Sequence, residues 1–415
     1  MKILFVTHRT PFPPNKGEKI RAYHILNEFR KRHTVSLLYW LDNPNDEKHV
    51  DELRKICGGP VVPVALNPGA AVARGILSLV LRRSFSEGYF YSLEFQAAFD
   101  ALVREHRPDL LFVFSSTMGG YLRSHAHVRT IVDFVDVDSE KWRQLAEFKQ
   151  WPFSLLCNLE HRRLARFERK LAASVGCSLF VSHSEADLFK RMGGAGQVAV
   201  IPNGVEPEVR RLPIRHLRRD CNDGPVSPKI IFVGTMNYLP NIDAVLYFVQ
   251  EIWPLIRKGC TTAEFHVVGR CPPRSVRKLN GLDGICVFGE VPNIAPYLLN
   301  ADVSVAPLRI ARGVQNKVLE AMAIGVPVVA SSQAVQGINV EPEKDILVAD
   351  EPVQFARQVF RVLNDGELYQ TLVSRGRTRV VEGYSWNRIG AELEQIIAEL
   401  TRPATSEFTQ LQPAY

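Results

Sequence analysis

The chain has 415 residues, of which 46% are hydrophobic and 23% charged. That length exceeds one ordinary core and suits two domains of about 150–200 residues each, and the composition excludes disorder, collagen and repeat arrays. A net charge of +7 points to an anionic partner: a phosphate-bearing ligand, nucleic acid or an anionic membrane surface. The seven cysteines show no zinc spacing and fit the reduced thiols of a cytoplasmic protein. The opening MKILFVTHRTPFPP has too short an apolar core for a signal peptide. No apolar run reaches the roughly 18 residues of a spanning helix.

In chain order, Ile3–Val6 predicts a first strand. Gly17–Arg32 predicts a helix with a stripe of Ile20, Tyr23, His24, Leu26 and Asn27. Strands follow at Thr34–Tyr39, Leu110–Phe114, Thr130–Phe134, Leu179–Val181 and Val198–Ile201, with a helix around Ser92–Glu105. Short apolar strands separated by helices predict a parallel sheet covered on both faces. Pro202-Asn203-Gly204 is a turn signal, and 206–228 is rich in charge and proline, which predicts a linker.

A second series begins at Lys229–Val233 and continues through Phe265–Val268, Ile285–Phe288, Val303–Ala306, Val326–Ala330 and Ile346–Val348. Helical patterns lie between them at Asp243–Ile256, Ile294–Leu299, Lys317–Ile324 and Pro352–Leu363. The expected fold is α/β, with two doubly wound Rossmann-like domains facing a cleft. The expected boundaries are 1–205 for the first domain, 206–228 for the linker and 229–382 for the second domain. A helical pattern in 383–400 falls outside the second sheet's rhythm, and 401–415 reads as a loose tail.

Ligands of open α/β sheets bind beyond the carboxyl ends of the strands, which selects four loops. Neither a Walker loop nor a GxGxxG fingerprint is present. The first loop, THRTPFPPNKG, runs from Thr7 into Gly17 and Glu18. Its Asn15, Lys16, Gly17 and Glu18 stand before a helix and suit a polar or anionic group; a rigid connector is the plainer alternative. In the second, VDFVDVDSEKW, Asp133, Asp136 and Asp138 crowd the end of an apolar strand. They suit hydroxyl protons or a metal, unless Asp138 or Ser139 simply caps a helix. The third, GTMNYLPN, offers the backbone of Gly234 and Thr235 to phosphate. In the fourth, RIARGVQNKVLEAMA, Gly313, Val314, Gln315 and Asn316 lead into a helix carrying Lys317 and Glu320. Free N–H groups, the positive dipole end and the lysine there suit a pyrophosphate. Glu320 is placed for a ribose or sugar diol. A surface ion pair between Lys317 and Glu320 is the plainer alternative.

At this fourth segment the chain resembles the fourth family of glycosyltransferases, which have the GT-B fold. The resemblance runs through both halves: VIPNGVE, IIFVGTMNYLPNIDA, FHVVGR, VFGEVPNIAPYLLNADVSVAPL, KVLEAMAIGVPVVAS and YSW. THRTPFPPNKGEKIR and VDFVDVDSEKW resemble a narrower group, the sugar transferases of bacterial exopolysaccharide loci associated with PEP-CTERM protein sorting.

The resemblance implies a retaining hexosyltransferase-like enzyme. A nucleotide-sugar donor would be held mostly by the second domain, a glycan or polyprenyl-linked acceptor by the first, and the last helix would cross back to the first domain. It implies that Gly269 and Arg270 help hold the donor, that the nucleobase lies near Glu290–Pro292, with Glu290 and Val291 as its contacts, and that Glu320 contacts the ribose. Three departures stand out. Arg312 occupies the place of the family's first glutamate. Asn237 and Asn241 stand where an arginine and a lysine are common. The usual first-domain histidine is missing, with Asp133 nearest its place, so Asp133, Asp136, Asp138 and Lys317 become the catalytic candidates.

The nucleotide-sugar is a substrate, so no cofactor is implied, no metal is required and no nucleic acid is expected. Three rivals remain: a manganese motif at Asp136–Asp138, a non-catalytic GT-B-like scaffold, and a sugar-nucleotide epimerase. Ala70–Arg83, AAVARGILSLVLRR, has the composition of an interfacial helix. With the basic stretch His161–Lys170, it adds a weak anionic membrane surface to the expected partners. The expected place is the cytoplasm, peripheral at the inner face of the cytoplasmic membrane.

Overall fold

The computed structural model describes residues 1–14, 17–205, 227–311 and 313–402. Chain contacts divide it into two compact units. The first comprises Met1–Phe180, Ala186–Ile201 and the chain from Ile389 on; the second comprises Val181–Glu185 and Pro202–Arg388.

Unit 1 holds a seven-stranded sheet in the order β3-β2-β1-β4-β5-β6-β7, every pairing parallel. Its strands are β1 (Lys2–Thr7), β2 (Thr34–Leu41), β3 (Val61–Ala65), β4 (Leu110–Phe114), β5 (Thr130–Val135), β6 (Cys177–Phe180) and β7 (Val198–Val200). β1 and β4 are buried almost throughout, which is why they read as unbroken apolar runs. β3 escapes the sequence reading because Pro63 interrupts it, and proline is tolerated only at a sheet edge.

The first helix is Gly17–Phe29, shorter than expected. Its buried side is Lys19, Arg21, Ala22, His24, Ile25, Leu26 and Phe29, rather than the stripe through Ile20, Tyr23 and Asn27. Two charged residues take core positions there because each has a partner: Lys19 Nζ donates to Asp46 Oδ2 at 2.5 Å and Arg21 binds Asp133.

Unit 2 holds a six-stranded parallel sheet in the order β10-β9-β8-β11-β12-β13. Its strands are β8 (Lys229–Val233), β9 (Glu264–Val268), β10 (Ile285–Gly289), β11 (Val303–Ala306), β12 (Val328–Ala330) and β13 (Leu347–Val348). The helix Pro352–Asn364 buries Phe355, Ala356, Val359, Val362 and Leu363 at helical spacing. The helix Gly366–Gly383 is an element that the sequence pattern does not predict. The last helix, Trp386–Thr401, begins in unit 2 and from Ile389 belongs to unit 1. There His33 Nε2 meets Glu394 Oε1 at 2.8 Å, and Gly390 lies where a Cβ would be 2.5 Å from Glu28 Oε2. The expected linker residues 206–226, the tail from 403, and the candidates Asn15, Lys16 and Arg312 lie outside the described residues.

Each sheet has one place where the strand order reverses, between β1 and β4 in unit 1 and between β8 and β11 in unit 2. These switch points are where doubly wound sheets bind ligands.

Candidate functional site

In unit 2 the loops after β8 and β11 flank the switch point. The β8 loop is drawn tight against β9. Gly234 N donates to Val268 O at 3.0 Å, and Met236 N to Arg270 O at 2.9 Å. A Cβ on Gly269 would lie 1.8 Å from Gly234 O, so only glycine fits there. Asn241, 5% exposed, then ties this loop to the next one. Its Nδ2 donates to Thr235 O at 2.9 Å, and its Oδ1 accepts from Lys317 Nζ at 2.7 Å.

Lys317 is half-buried. It also reaches Gln315 Oε1 at 3.4 Å and sits 5.4 Å above the Phe232 ring. Burial pushes its ammonium down from 10.5 to about 8, against the opposing pull of the Glu320 carboxylate. The helix Asn316–Ile324 begins after an extended Gln315 that supplies no side-chain cap, and it ends at Gly325 with φ 91°. Its leading N–H groups therefore face outward with the dipole's positive end. Asn203 Nδ2 donates to Asn316 Oδ1 at 3.0 Å, which fixes the first residue of that helix. Gly313 has φ 60°. Gly337 comes so close that a Cβ there would be 2.4 Å from Gly313 O.

The structure thus brings together Gly234, Thr235, Asn241, Gly313, Val314, Gln315, Asn316, Lys317 and Glu320. Asn237 is exposed on the β8 loop. Gly269 and Arg270 follow β9, while Glu290, exposed, and Val291 follow β10 one strand further out. Arg309 was not singled out in the sequence. It pairs with Asp243, its Nε 3.0 Å from Oδ2, and lies over the Tyr247 ring at 4.7 Å. It braces the β11 loop against the helix Leu239–Tyr247.

In unit 1 the ends of β1, β4 and β5 carry a dense polar cluster. Asp133 is wholly buried, and both oxygens are taken by Arg21: Nε to Oδ2 at 2.7 Å and Nη2 to Oδ1 at 3.1 Å. Val135 N also donates to Asp133 Oδ1 at 3.2 Å. Val135 itself has φ 67°, a costly conformation for a β-branched residue, at the point where the β5–β6 register shifts. This kink re-aims the chain that follows, so Asp133 is separated from Asp136 and Asp138. Those two share the Lys141 ammonium, at 3.0 and 2.9 Å. The helix that begins at Asp138 has Val137 as its N-cap, with no side-chain cap bond, so neither Asp138 nor Ser139 does the capping. Ser139 instead donates its hydroxyl to buried Glu168 at 2.5 Å and its N–H at 3.2 Å. Burial, reinforced by the Asp138 charge, pushes the Glu168 carboxyl up to about 8.

Beside the Gly17 helix start, Glu18 meets His8 Nε2 at 3.3 Å and Arg9 Nη1 at 3.2 Å. Burial acts to raise the Glu18 carboxyl, but the His8 hydrogen bond and the charges of His8, Arg9 and Lys141 outweigh it and hold it at about 2. His8 stacks flat on Phe114 and edge-on to Phe90. His8 Nδ1 and Asp136 Oδ1 are buried with no protein partner. His8, Arg9, Arg21 and Lys141 were missed in the sequence. Arg21 finds its partner 112 residues away, which no local pattern shows, whereas Lys141 lies within VDFVDVDSEKW beside the two aspartates it binds.

Residues 16–204 match the model of the glycosyl transferase 4-like domain, and residues 227–365 match that of glycosyl transferases group 1. No curated protein matches the chain. Among solved structures, the sucrose-phosphate synthase from Thermosynechococcus elongatus is 19% identical, with a TM-score of 0.73 over 96% of this chain and 99% of that one. Anabaena HepE in complex with UDP-glucose is 15% identical, with a TM-score of 0.65 over 96% of this chain and 100% of that one. A glycosyltransferase from Rickettsia africae is 12% identical, with a TM-score of 0.65 over 97% and 99%. These likenesses establish the fold as GT-B, with two Rossmann-like domains. Given the two domain matches, the chain is a family-4-like glycosyltransferase.

Proposed function

We propose that this glycosyltransferase is a retaining enzyme that moves a sugar from a nucleotide-sugar to a glycan or polyprenyl-linked acceptor in exopolysaccharide biosynthesis. The observation that carries the donor half is the Lys317–Asn241 bond at the unit 2 switch point. It holds an ammonium beside an uncapped helix start, and a leaving diphosphate needs just such preorganised positive charge. HepE, of the same fold, was crystallised with UDP and with UDP-glucose, which supports a nucleotide-sugar here. The two N-terminal segments that resemble exopolysaccharide-locus transferases support the pathway.

In this reading the diphosphate lies against the N–H groups of Gly313–Asn316 and the Lys317 ammonium, and Glu320 takes the ribose or sugar diol. The bond from sugar C1 to the diphosphate oxygen breaks as the acceptor oxygen bonds to C1 from the same face. The acceptor's proton passes to the departing diphosphate oxygen. That route requires no side-chain base, in keeping with the full engagement of Asp133 by Arg21. It requires no metal either: Asp136 and Asp138 already share the Lys141 cation. The ionised Glu18 at the start of the Gly17 helix, with Asp136, suits acceptor hydroxyls. The enzyme would meet a lipid-linked acceptor as a weakly bound peripheral protein at the cytoplasmic leaflet.

A thermal-shift screen of UDP-, GDP-, ADP- and dTDP-linked sugars tests the donor. One nucleotide series should raise the melting temperature, and NMR of the product should show the donor's anomeric configuration kept. Stabilisation by no member leaves the scaffold reading standing instead.

A further inference from the structure

The helix Pro68–Val80 is packed the wrong way round for a soluble protein. Its buried residues are the small ones, Ala71, Gly75 and Ser78. They face the short helix Phe85–Phe90 at close range: a Cβ on Gly75 would lie 2.5 Å from the Phe85 ring, and one on Gly88 2.3 Å from Ser78 Cβ. The large residues at the alternate helical positions point outward. Ile76 is 54% exposed, Val80 73% and Leu81 61%. An ordinary surface helix buries its apolar stripe and exposes its polar one; here water meets the apolar stripe.

A second apolar set lies at the start of the long helix Phe153–Ser174, where Trp151 is 80% exposed and Phe153 64%, with Leu155 and Leu156 also exposed. The two sets are tied together. Arg163 Nη1 donates to Leu79 O at 2.7 Å and to Arg83 O at 3.0 Å. Glu160 accepts from Ser84 Oγ at 2.7 Å, Phe85 N at 2.6 Å and Ser86 N at 2.9 Å. Leu156 precedes Glu160 by four residues, one helical turn on the same face, so it lies on the side of the long helix that meets Ser84–Ser86.

Within the two exposed apolar stretches the charge has one sign. No Asp or Glu occurs in 68–86 or in 149–159, whereas Arg82, Arg83 and Lys149 there are exposed, as are Arg162 and Arg166 further along the long helix. We infer that these two helices form one docking surface for an anionic phospholipid bilayer, with Ile76, Val80 and Leu81 from one limb and Trp151, Phe153 and Leu156 from the other entering the interface. An apolar face with an arginine rim and a tryptophan is what such a surface selects. A second copy of this chain is a poorer occupant, because a twofold contact would set the same arginines against each other. This rests on the lipid-linked-acceptor reading only for its purpose, not for its evidence.

Sedimentation of the full-length protein with phosphatidylglycerol–phosphatidylcholine vesicles is the test, with phosphatidylcholine vesicles alone for comparison. Binding should appear with the anionic vesicles at low salt and fade at high salt. Arg82→Glu with Arg83→Glu, or Val80→Glu with Leu81→Glu, should each lower partitioning by about tenfold or more, with the melting temperature unmoved. Trp151 adds a direct readout. Trp40, Trp253 and Trp386 are buried and Trp142 is half-buried, so vesicles should shift the emission to the blue, and Trp151→Phe should abolish the shift. Wild-type protein left in the supernatant with anionic vesicles overturns the inference, as does binding indifferent to both pairs of substitutions. So does a concentration-dependent dimer that Val80→Glu dissolves in the absence of vesicle binding. Donor binding is read by thermal shift without lipid, so failure there, with sedimentation intact, sinks the transfer reading and not this surface.

Discussion

The proposed contact between Lys317 and the donor diphosphate should make nucleotide binding depend on pH, and the size of the effect follows from the burial of the lysine. Its ammonium titrates at about 8 rather than 10.5 in the unliganded protein, a difference of about 3 kcal/mol between the charged and neutral forms. A diphosphate placed beside Nζ supplies the countercharge that burial denies it and raises the group back toward its ordinary value. Below pH 8 the lysine is protonated in both free and bound states, and affinity should be flat. Above pH 8 the free protein has lost the proton that the complex keeps, so affinity should fall by up to about tenfold per pH unit. The 3 kcal/mol is an upper limit, because the side chain is only half-buried.

The sign on stability follows from the same shift. Between about 8 and 10.5 the unfolded chain holds the proton more firmly than the folded one. The penalty of burying this cation is therefore fully present below pH 8 and fades as pH rises through that window. The assay is titration calorimetry with the nucleoside diphosphate that stabilises the protein, run across this pH range in buffers of different ionisation enthalpy. Proton uptake on binding should peak inside the window, and Lys317→Met should abolish both the uptake and the slope. Affinity that stays level from about pH 7 to about pH 10, or a slope that survives in Lys317→Met, refutes the placement of this ammonium against the diphosphate.

Glu320→Ala should weaken nucleotide binding by about 1.5–3 kcal/mol, the loss of a charged hydrogen bond to a diol, with little change in melting temperature; unchanged affinity by calorimetry would count against that role. Asp133→Asn should act on folding, because it leaves the Arg21 guanidinium buried against a neutral amide, at a cost of about 3–5 kcal/mol. Chemical denaturation reads this directly. A variant of normal stability with kcat lowered by orders of magnitude would make Asp133 a catalytic base instead.

The sequence determined the two βα series, because buried parallel strands such as Leu110–Phe114 and Lys229–Val233 must be apolar on both faces and so announce themselves. It also determined the segment from Gly313 to Glu320, since a glycine, a helix start and two charged residues within one stretch keep their relation whatever surrounds them. It determined less where pairing crosses the chain. Arg21 and Asp133 are 112 residues apart, and Lys317 and Asn241 are 76 apart. Three neighbouring aspartates in VDFVDVDS looked like one group. The positive φ at Val135 split them into a buried anchor and a pair that shares Lys141. The helix Pro68–Val80 shows the same division. Its apolar and basic composition was plain in the letters, but which side faced water depended on how closely the Phe85–Phe90 helix could approach. Only glycine and serine at that contact allow the approach, and it is this contact that leaves the large side chains outside.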